Sequence, residues 1–428
     1  MKVVVVGAGG REHALADSCH RQGHEVIVTP GNAGIPWSTP TPPQELDADL
    51  FVIGPEQPLV DGLADELRAQ GKLVFGPGYP GIRIEASKAF MKELVQASGA
   101  PTARFVVITD EGELDDLLPS FFAGENPGAV VKTDGPAAGK GVTVCETVEK
   151  ARADALAKLR GESFGESGRQ IVIEALLGKA DLSDCYERSV FALVRVDKDG
   201  FQRQLVPMMA QDYKRVSDDP TSPMTGGMGC YAPTGDEDKL EQWAKACIDP
   251  VLELMSRRCI PYVGFMYFGL MIVDDKPYVL EINIRFGDPE AEVLLPLVTS
   301  DLAVVMRSAA KGETIPPVHC SKAYAVTVVL AAEGYPDKPR KGDIISGLPQ
   351  LLQARQAGVH VYAAGVEDSG YADMMLTSGG RVLEVTATGF TGEIARRRAY
   401  EAALQINFVN ADDSDTKQLR HDIAAHWA

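Results

Sequence analysis

An α/β fold that opens on a parallel sheet and continues as α+β units is predicted by three observations. Short apolar runs alternate with helical stretches at the N-terminal end, glycine-rich turns stand at the carboxyl ends of those runs, and paired β-branched runs farther on are joined by a glycine-rich hairpin segment. The chain has 428 residues, and at roughly 150 residues per domain about three domains are expected, so several cores should meet at clefts.

The first strand is Val3–Val6, followed by the turn Gly7-Ala8-Gly9-Gly10 and a helix beginning at Arg11–Ala16. Glu25–Val28 and Leu50–Ile53 are the next strands, a helix runs from about Val60 to Ala69, and Leu73–Phe75 is a fourth strand. This βαβ alternation implies a parallel sheet whose carboxyl-end loops are available to ligands. Ser87–Ser98 reads as a helix and Arg104–Ile108 as a strand, with a helical stretch near Leu114. Ala129–Lys132 and Gly141–Val144 pair across Asp134–Lys140, and the helix Val148–Leu159 and strand Gln170–Glu174 complete an α+β unit. A β-rich stretch from Val190 to Asn283 follows. The last hundred or so residues carry strands at Tyr324–Val329, Gly358–Tyr362 and Arg381–Thr386 and a helix at Glu393–Ala403, without internal repeats or low-complexity linkers.

Composition narrows the function. A net charge of -18 repels the phosphate backbone of nucleic acids, and it requires any phosphate site to be built locally from Lys, Arg, backbone amides and metal. Seven scattered cysteines without a Cys-x-x-Cys pair suggest thiols in a reducing compartment. Because Met1-Lys2 leads straight into a strand and no apolar run approaches the roughly 20 residues needed to span a bilayer, a cytoplasmic protein without membrane attachment is expected. The histidines show no metal-ligand spacing and no Gly-x-Ser-x-Gly elbow occurs.

Gly7-x-Gly9-Gly10 is half of a dinucleotide fingerprint, but Glu12 stands where the third glycine belongs and the second strand ends at Thr29-Pro30 without an acidic residue. A phosphate or ribose at the helix N-terminus is favoured over a nicotinamide dinucleotide, and with it over a dehydrogenase. Lys132–Gly141 lacks the hydroxyl residue and helix of a Walker loop. It reads as a hairpin flap able to close glycine amides and a lysine over a triphosphate, or else as a solvated hairpin tip. In Tyr278–Arg285 the strand period places Glu281, Asn283 and Arg285 on one face and Leu280, Ile282 and Ile284 on the other. Two oxygen donors side by side suit Mg²⁺, a hard cation that keeps water and phosphate as further ligands. Glu174 ends the apolar strand Ile171–Glu174, and a segment there either leaves the core or reads adenine through backbone groups.

Taken in order, the segments resemble glycinamide ribonucleotide synthetases. The matching segments are Gly7–Ala14, Pro30–Gly34, Gly54–Leu59, Glu85–Phe90, Lys132–Val142, Gln211–Val216, Thr225–Gly229 and Asn283–Glu290. The resemblance implies an ATP-grasp fold: a Rossmann-like N-terminal domain at 1–82, an ATP-grasp domain at 83–320 with a nucleotide lid at 101–177, and a small β-rich C-terminal domain at 321–428. It implies an ATP-dependent ligase that joins glycine to 5-phosphoribosylamine through a glycyl phosphate in purine biosynthesis, or a relative using another amino acid or amine. ATP and Mg²⁺ or Mn²⁺ are the implied cofactors, and small molecules the only implied partners. Lys88, Lys132, Gly139, Lys140 and Gly141 would face ATP phosphates, Glu174, Ala175 and Leu177 the adenine, and Glu187 the ribose. Glu281 and Asn283 would hold the metal. Gly9, Gly10, Arg11, Gly31, Asn32, Gly54, Pro55 and Glu56 would bind phosphoribosylamine, while Asp212, Gly226, Gly227, Arg285 and Asp288 would serve glycine and the acyl phosphate. Lys132, Asp212, Arg285 and Asp288 are the implied catalytic residues.

Three segments depart from the family pattern. The proline-rich stretch Pro36–Pro43 replaces a strand and helix, an insertion at about Lys179–Tyr186 precedes Glu187, and Met224 stands in place of asparagine.

Overall fold

The computed structural model describes residues 1–123, 126–135, 141–163, 169–179, 185–348, 358–371 and 374–427. Its first sheet is parallel throughout, in the order Glu25–Pro30, Lys2–Gly7, Leu50–Ile53, Val74–Phe75. Val3 to Val6 are all buried, as a strand covered on both faces requires. The helix Gly10–Arg21 returns the chain between the first two strands. The helix expected from Val60 to Ala69 is instead two short ones, Glu56–Val60 and Leu63–Ala69, because Gly62 between them adopts a left-handed conformation at φ 88°.

The Pro36–Pro43 stretch lies along the outer edge of this sheet. Val28 donates its amide to the Trp37 carbonyl at 2.9 Å and accepts from the Thr39 amide at 2.9 Å, so the edge is covered without a full strand and helix.

A smaller antiparallel sheet orders Phe105–Ile108, Ile171–Ala175, Ala129–Thr133 and Val142–Cys145. It has its own core of Ile108, Leu114, Phe121, Val131, Ala151 and Ile173, beneath the helix Val148–Leu159, which Thr147 caps by accepting the Lys150 amide. The direct pairing of Lys132 with Val142 establishes the hairpin and excludes a Walker strand-to-helix loop.

The central antiparallel sheet orders Gly200–Leu205, Cys185–Asp197, Tyr262–Val273 and Lys276–Asn283. The stretch expected to be β-rich here also contains the helices Leu240–Cys247 and Asp249–Arg257. They bury Leu240, Trp243, Ala244 and Cys247, then Val251, Leu252 and Met255, a three-and-four spacing that only a helix presents on one face. A further sheet orders Gln211–Asp212, Gly229–Ala232, Tyr324–Ala331, Arg381–Gly389 and Val359–Ala363. Its first two strands come from the middle of the chain, so the glycine-rich segment at 225–229 is delivered to the C-terminal sheet. One apolar cluster runs from Val3 through Phe286 to Phe408, joining the three regions around a shared interior. Among the described residues no helix is long and apolar enough to cross a membrane.

Candidate functional site

The strand Lys276–Asn283 carries the centre of the site. Glu281 pairs with Gly269 and Val279 with Leu270, so Leu280 is bulged out of the register. The bulge breaks the alternation expected from the sequence: Val279, Ile282 and Ile284 are buried while Leu280 is half-buried. Such kinks re-aim groups beside functional sites, and here Lys132 Nζ lies 3.5 Å from the Leu280 carbonyl.

Cations converge on Glu281. Lys214 Nζ is 3.7 Å from its Oε1 and 3.3 Å from Glu187 Oε2. Burial pushes the Glu281 carboxyl up, but Lys214, Lys132, Lys88 and Arg285 together hold it below its ordinary value. Glu187 and Glu281 in turn raise the Lys214 ammonium well above its usual range. Lys88 opens the helix Lys88–Ser98, and burial lowers its ammonium. Asp134 anchors the base of the flap there, its carboxylate accepting the Ala89 amide at 2.7 Å and the Ser87 hydroxyl at 3.0 Å. Across the flap the Thr133 amide reaches the Gly141 carbonyl at 2.9 Å; Gly139 and Lys140 lie outside the described residues.

Arg285 binds the regions together. Its guanidinium lies 2.8 Å from Glu85 and 3.2 Å from Glu56, and Glu85 also accepts the Ile284 amide at 2.8 Å. Arg285 and Arg11 outweigh burial at Glu56 and lower its carboxyl; at Glu85 burial wins and the carboxyl rises.

Beyond Arg285 the character reverses. Half-buried Asp212 and buried Glu290 lie near each other, and both carboxyls are raised, chiefly by desolvation, with Glu290 acting next on Asp212. Glu290 accepts the Ser189 hydroxyl at 3.1 Å. Arg381 lies 3.1 Å from Asp288 and also donates to the Asp288 and Gly227 carbonyls. Gly227, at φ 128°, has room for no side chain: a Cβ there would stand 2.8 Å from Asp212 Oδ1. Gly226 donates its amide to Tyr335 at 3.3 Å. Behind these lie Glu292 and Glu384, fully buried against Gly10 and each pushed well up, first by burial and then by Asp288.

The N-terminal loops meet this wall. Glu12 accepts the Gly9 amide at 2.8 Å and the Arg11 Nε at 2.6 Å, and its carboxylate lies against Gly7 and Gly54, filling the space that a dinucleotide fingerprint keeps open with glycine. Arg11 also donates to the Phe286 carbonyl. Gly31 and Gly54 tie back to the first strand through the Gly7 and Val6 carbonyls, and Pro55 caps the helix that starts at Glu56. The Asn32 amide donates to Ala8, Ala363 and Ala364 carbonyls and its oxygen accepts the Gly34 amide. That side chain therefore fastens the loop, and backbone groups are what the loop can offer a ligand. Met224 is partly exposed and bridges Arg215.

On the lid strand Ile171–Ala175, Glu174 spends its carboxylate on Lys132 at 2.6 Å and Lys92 at 2.9 Å. The Ala175 amide donates to Arg104, and the Leu177 carbonyl receives the Cys185 thiol at 3.7 Å. Lys92, Lys214, Glu85, Glu290 and Arg381 join the site only through the fold, and the sequence alone does not single them out. Lys92 was detectable in principle, since it follows Lys88 by one helical turn and shares its face.

Glu281 and Asn283 fit a divalent ion in donor chemistry. Both offer oxygen, the Glu281 side chain keeps 39% of its surface exposed, and no cluster of three or more His, Cys, Asp or Glu is placed for a metal among the described residues. An ion held by so few protein ligands leans on water and substrate phosphate, as Mg²⁺ does.

Comparison with known proteins gives three family matches: phosphoribosylglycinamide synthetase N domain over residues 1–85, its ATP-grasp (A) domain over 86–291 and its C domain over 325–426. The chain is 40% identical over 448 residues to phosphoribosylamine–glycine ligase of Streptomyces coelicolor, covering 100% of both chains. It is 38% identical to the Vibrio cholerae protein of that name, covering 95% of each. The crystal structure of the Thermotoga maritima phosphoribosylamine–glycine ligase superposes with a TM-score of 0.84 at 32% identity, over 99% of this chain and 100% of that one.

Proposed function

The chain belongs to the phosphoribosylglycinamide synthetase family, and from that premise we infer that it is an ATP-dependent phosphoribosylamine–glycine ligase of purine biosynthesis. A glycine carboxylate oxygen attacks the γ-phosphorus of ATP, the bond to ADP breaks, and glycyl phosphate forms. The amine of 5-phosphoribosylamine then attacks the glycyl carbonyl, phosphate leaves with the former carboxylate oxygen, and the amine gives up a proton as the amide forms.

The observation that carries this reading is the convergence of Lys88, Lys132, Lys214 and Arg285 on Glu281 at one strand end. In a chain of net charge -18, such a group of cations is the local provision that a triphosphate requires. Lys88, Lys132 and the Gly141 end of the flap take the phosphates, and Glu187 and the Ala175–Leu177 backbone take the nucleoside. Glu281 and Asn283 would hold Mg²⁺, which when bound would supply neutralisation of developing phosphate charge. Arg285 is held near the transferring group by Glu56 and Glu85. Asp212 and Glu290, two neighbouring carboxyl groups, suit the glycine ammonium, and the Gly226-Gly227 backbone with the Gly227 close approach excludes bulk beside it. The Gly9-Gly10, Gly31 and Gly54 loops face phosphoribosylamine with backbone groups, with Arg11 alongside. Orientation and charge neutralisation supply most of the catalysis.

The test is ADP release measured with single amino acids, with and without freshly made phosphoribosylamine. Release requiring both glycine and phosphoribosylamine is expected. Release with a different amino acid or amine, and none with glycine, would make the protein a relative of altered specificity.

A further inference from the structure

A buried ion cluster behind the cleft joins Lys132 to two groups, Glu174 and Lys92, that the chemistry above does not use. Glu174 lies between two ammonium groups: Lys132, whose side chain is 11% exposed, and Lys92, which is 0% exposed. Lys92 also donates to the Thr102 hydroxyl at 2.6 Å, and Thr102 donates to the Val279 carbonyl at 2.7 Å. Lys92 is thus pinned between the helix Lys88–Ser98, the lid strand Ile171–Ala175 and the strand carrying Glu281. Lys132 is the outer member and also approaches the Leu280 carbonyl beside the bulge.

We propose that Lys92 is a positioning residue for ATP: its standing ion pair with Glu174 allows Lys132 to leave that carboxylate and meet the nucleotide phosphates. This rests on the reading of Lys132 as a phosphate ligand. Two lysines share one carboxylate, so the cluster carries one positive charge in excess. When phosphate draws Lys132 away, Glu174 keeps a full partner in a site that water does not reach. Without Lys92, Lys132 would be the only cation left to Glu174, and its departure would strand a buried carboxylate, which is strongly unfavourable. The carboxylate would then compete with ATP for the same ammonium. The dryness of the site is visible at Lys92 itself, where burial pulls the ammonium down to about 8 against the attraction of Glu174.

The test compares four full-length variants by steady-state kinetics and by ADP binding: Lys132→Met, Lys92→Met, Glu174→Gln, and Lys92→Met combined with Glu174→Gln. Lys92→Met is expected to raise the KM for ATP at least roughly tenfold while the KM for glycine stays put, because breaking one side of a buried pair leaves the other charge uncompensated. Adding Glu174→Gln should bring the ATP KM back to within about threefold of wild type, since the competing carboxylate is gone. If Lys92 merely packed the lid through Thr102, the double variant would be as impaired as the single one, and that result overturns the proposal. So does an unchanged ATP KM in Lys92→Met. Should Lys92→Met fail to fold, the double variant still decides: near-normal ADP affinity supports the proposal, and an affinity weakened roughly tenfold or more contradicts it. Lys132→Met is the separate control, because unaltered ATP binding there removes the phosphate reading of Lys132 itself.

Discussion

Around Glu281 carboxylates face ammonium and guanidinium groups, whereas around Arg381 they face one another. On the first side, Lys132 and Lys92 outweigh burial at Glu174, and Lys214 with three further cations outweighs it at Glu281, so both carboxyls are lowered. On the second, burial dominates at Asp212, Glu290, Glu292 and Glu384, neighbouring carboxylates reinforce it in three of the four, and all four are raised. Glu174 and Glu290, both buried, thus differ in the direction of their shift because of their neighbours. The cation-lined side is organised for an anion such as a triphosphate, and the carboxylate-lined side for a cation or a proton.

The largest effect should come from breaking the cation-lined side. Glu281→Ala and Asn283→Ala each remove an oxygen donor from a site with few, and divalent-metal-dependent ADP formation should fall on the order of 100-fold or more. Near wild-type turnover in both variants would remove the metal assignment.

This side was also the more legible in the sequence. Strand period placed Glu281 with Asn283, and the hairpin pairing of the flap followed from its β-branched residues and glycines. What sequence did not disclose were residues whose roles arise from folding across distance. Lys92 sits on a helix whose other buried residues are Ala89, Met91, Leu94 and Val95, and Glu85 acquires a purpose only when Arg285 arrives beside it. The Leu280 bulge was hidden because alternation gives no sign of an extra residue. The helices at Leu240–Cys247 and Asp249–Arg257 were legible in their apolar spacing, yet the strands around them had suggested a continuous β region.

A smaller effect is expected on the carboxylate-lined side. Asp212→Asn should raise the KM for glycine roughly tenfold while changing the ATP KM little, because it removes one of the two carboxyls proposed to face the glycine ammonium. An equal rise for both substrates would erase the distinction between the two sides.

Smaller again is a pH effect on stability. The folded-state carboxyl of Glu384 is raised, by burial, then Asp288, with Glu12 adding to it and Arg381 opposing; Glu292 is raised in turn by burial, Asp288 and Glu384 against Arg381. A raised folded value means a contribution fully present below the unfolded-state range near 4.5 and lost as pH rises through the folded value. Glu384→Gln does not ionise, so it should gain a few degrees in Tm over wild type at pH 8 and less at pH 5. A gain that is the same at both pH values would mean that Glu384 is not protonated on folding. The smallest expected signal is that of NAD(H) or NADP(H): with Glu12 filling the glycine turn, calorimetry should detect no saturable binding, and micromolar affinity would contradict the reading of that turn.

The division of labour between the two sides is tested most directly by following the carboxylate oxygens of glycine. With glycine labelled by ¹⁸O in its carboxylate, ATP, phosphoribosylamine and Mg²⁺, the released phosphate should carry one labelled oxygen per turnover, because the carboxylate oxygen that attacks the γ-phosphorus departs with it. Phosphate free of label, formed at the same rate as the amide product, would show that no glycyl phosphate forms and would contradict the account.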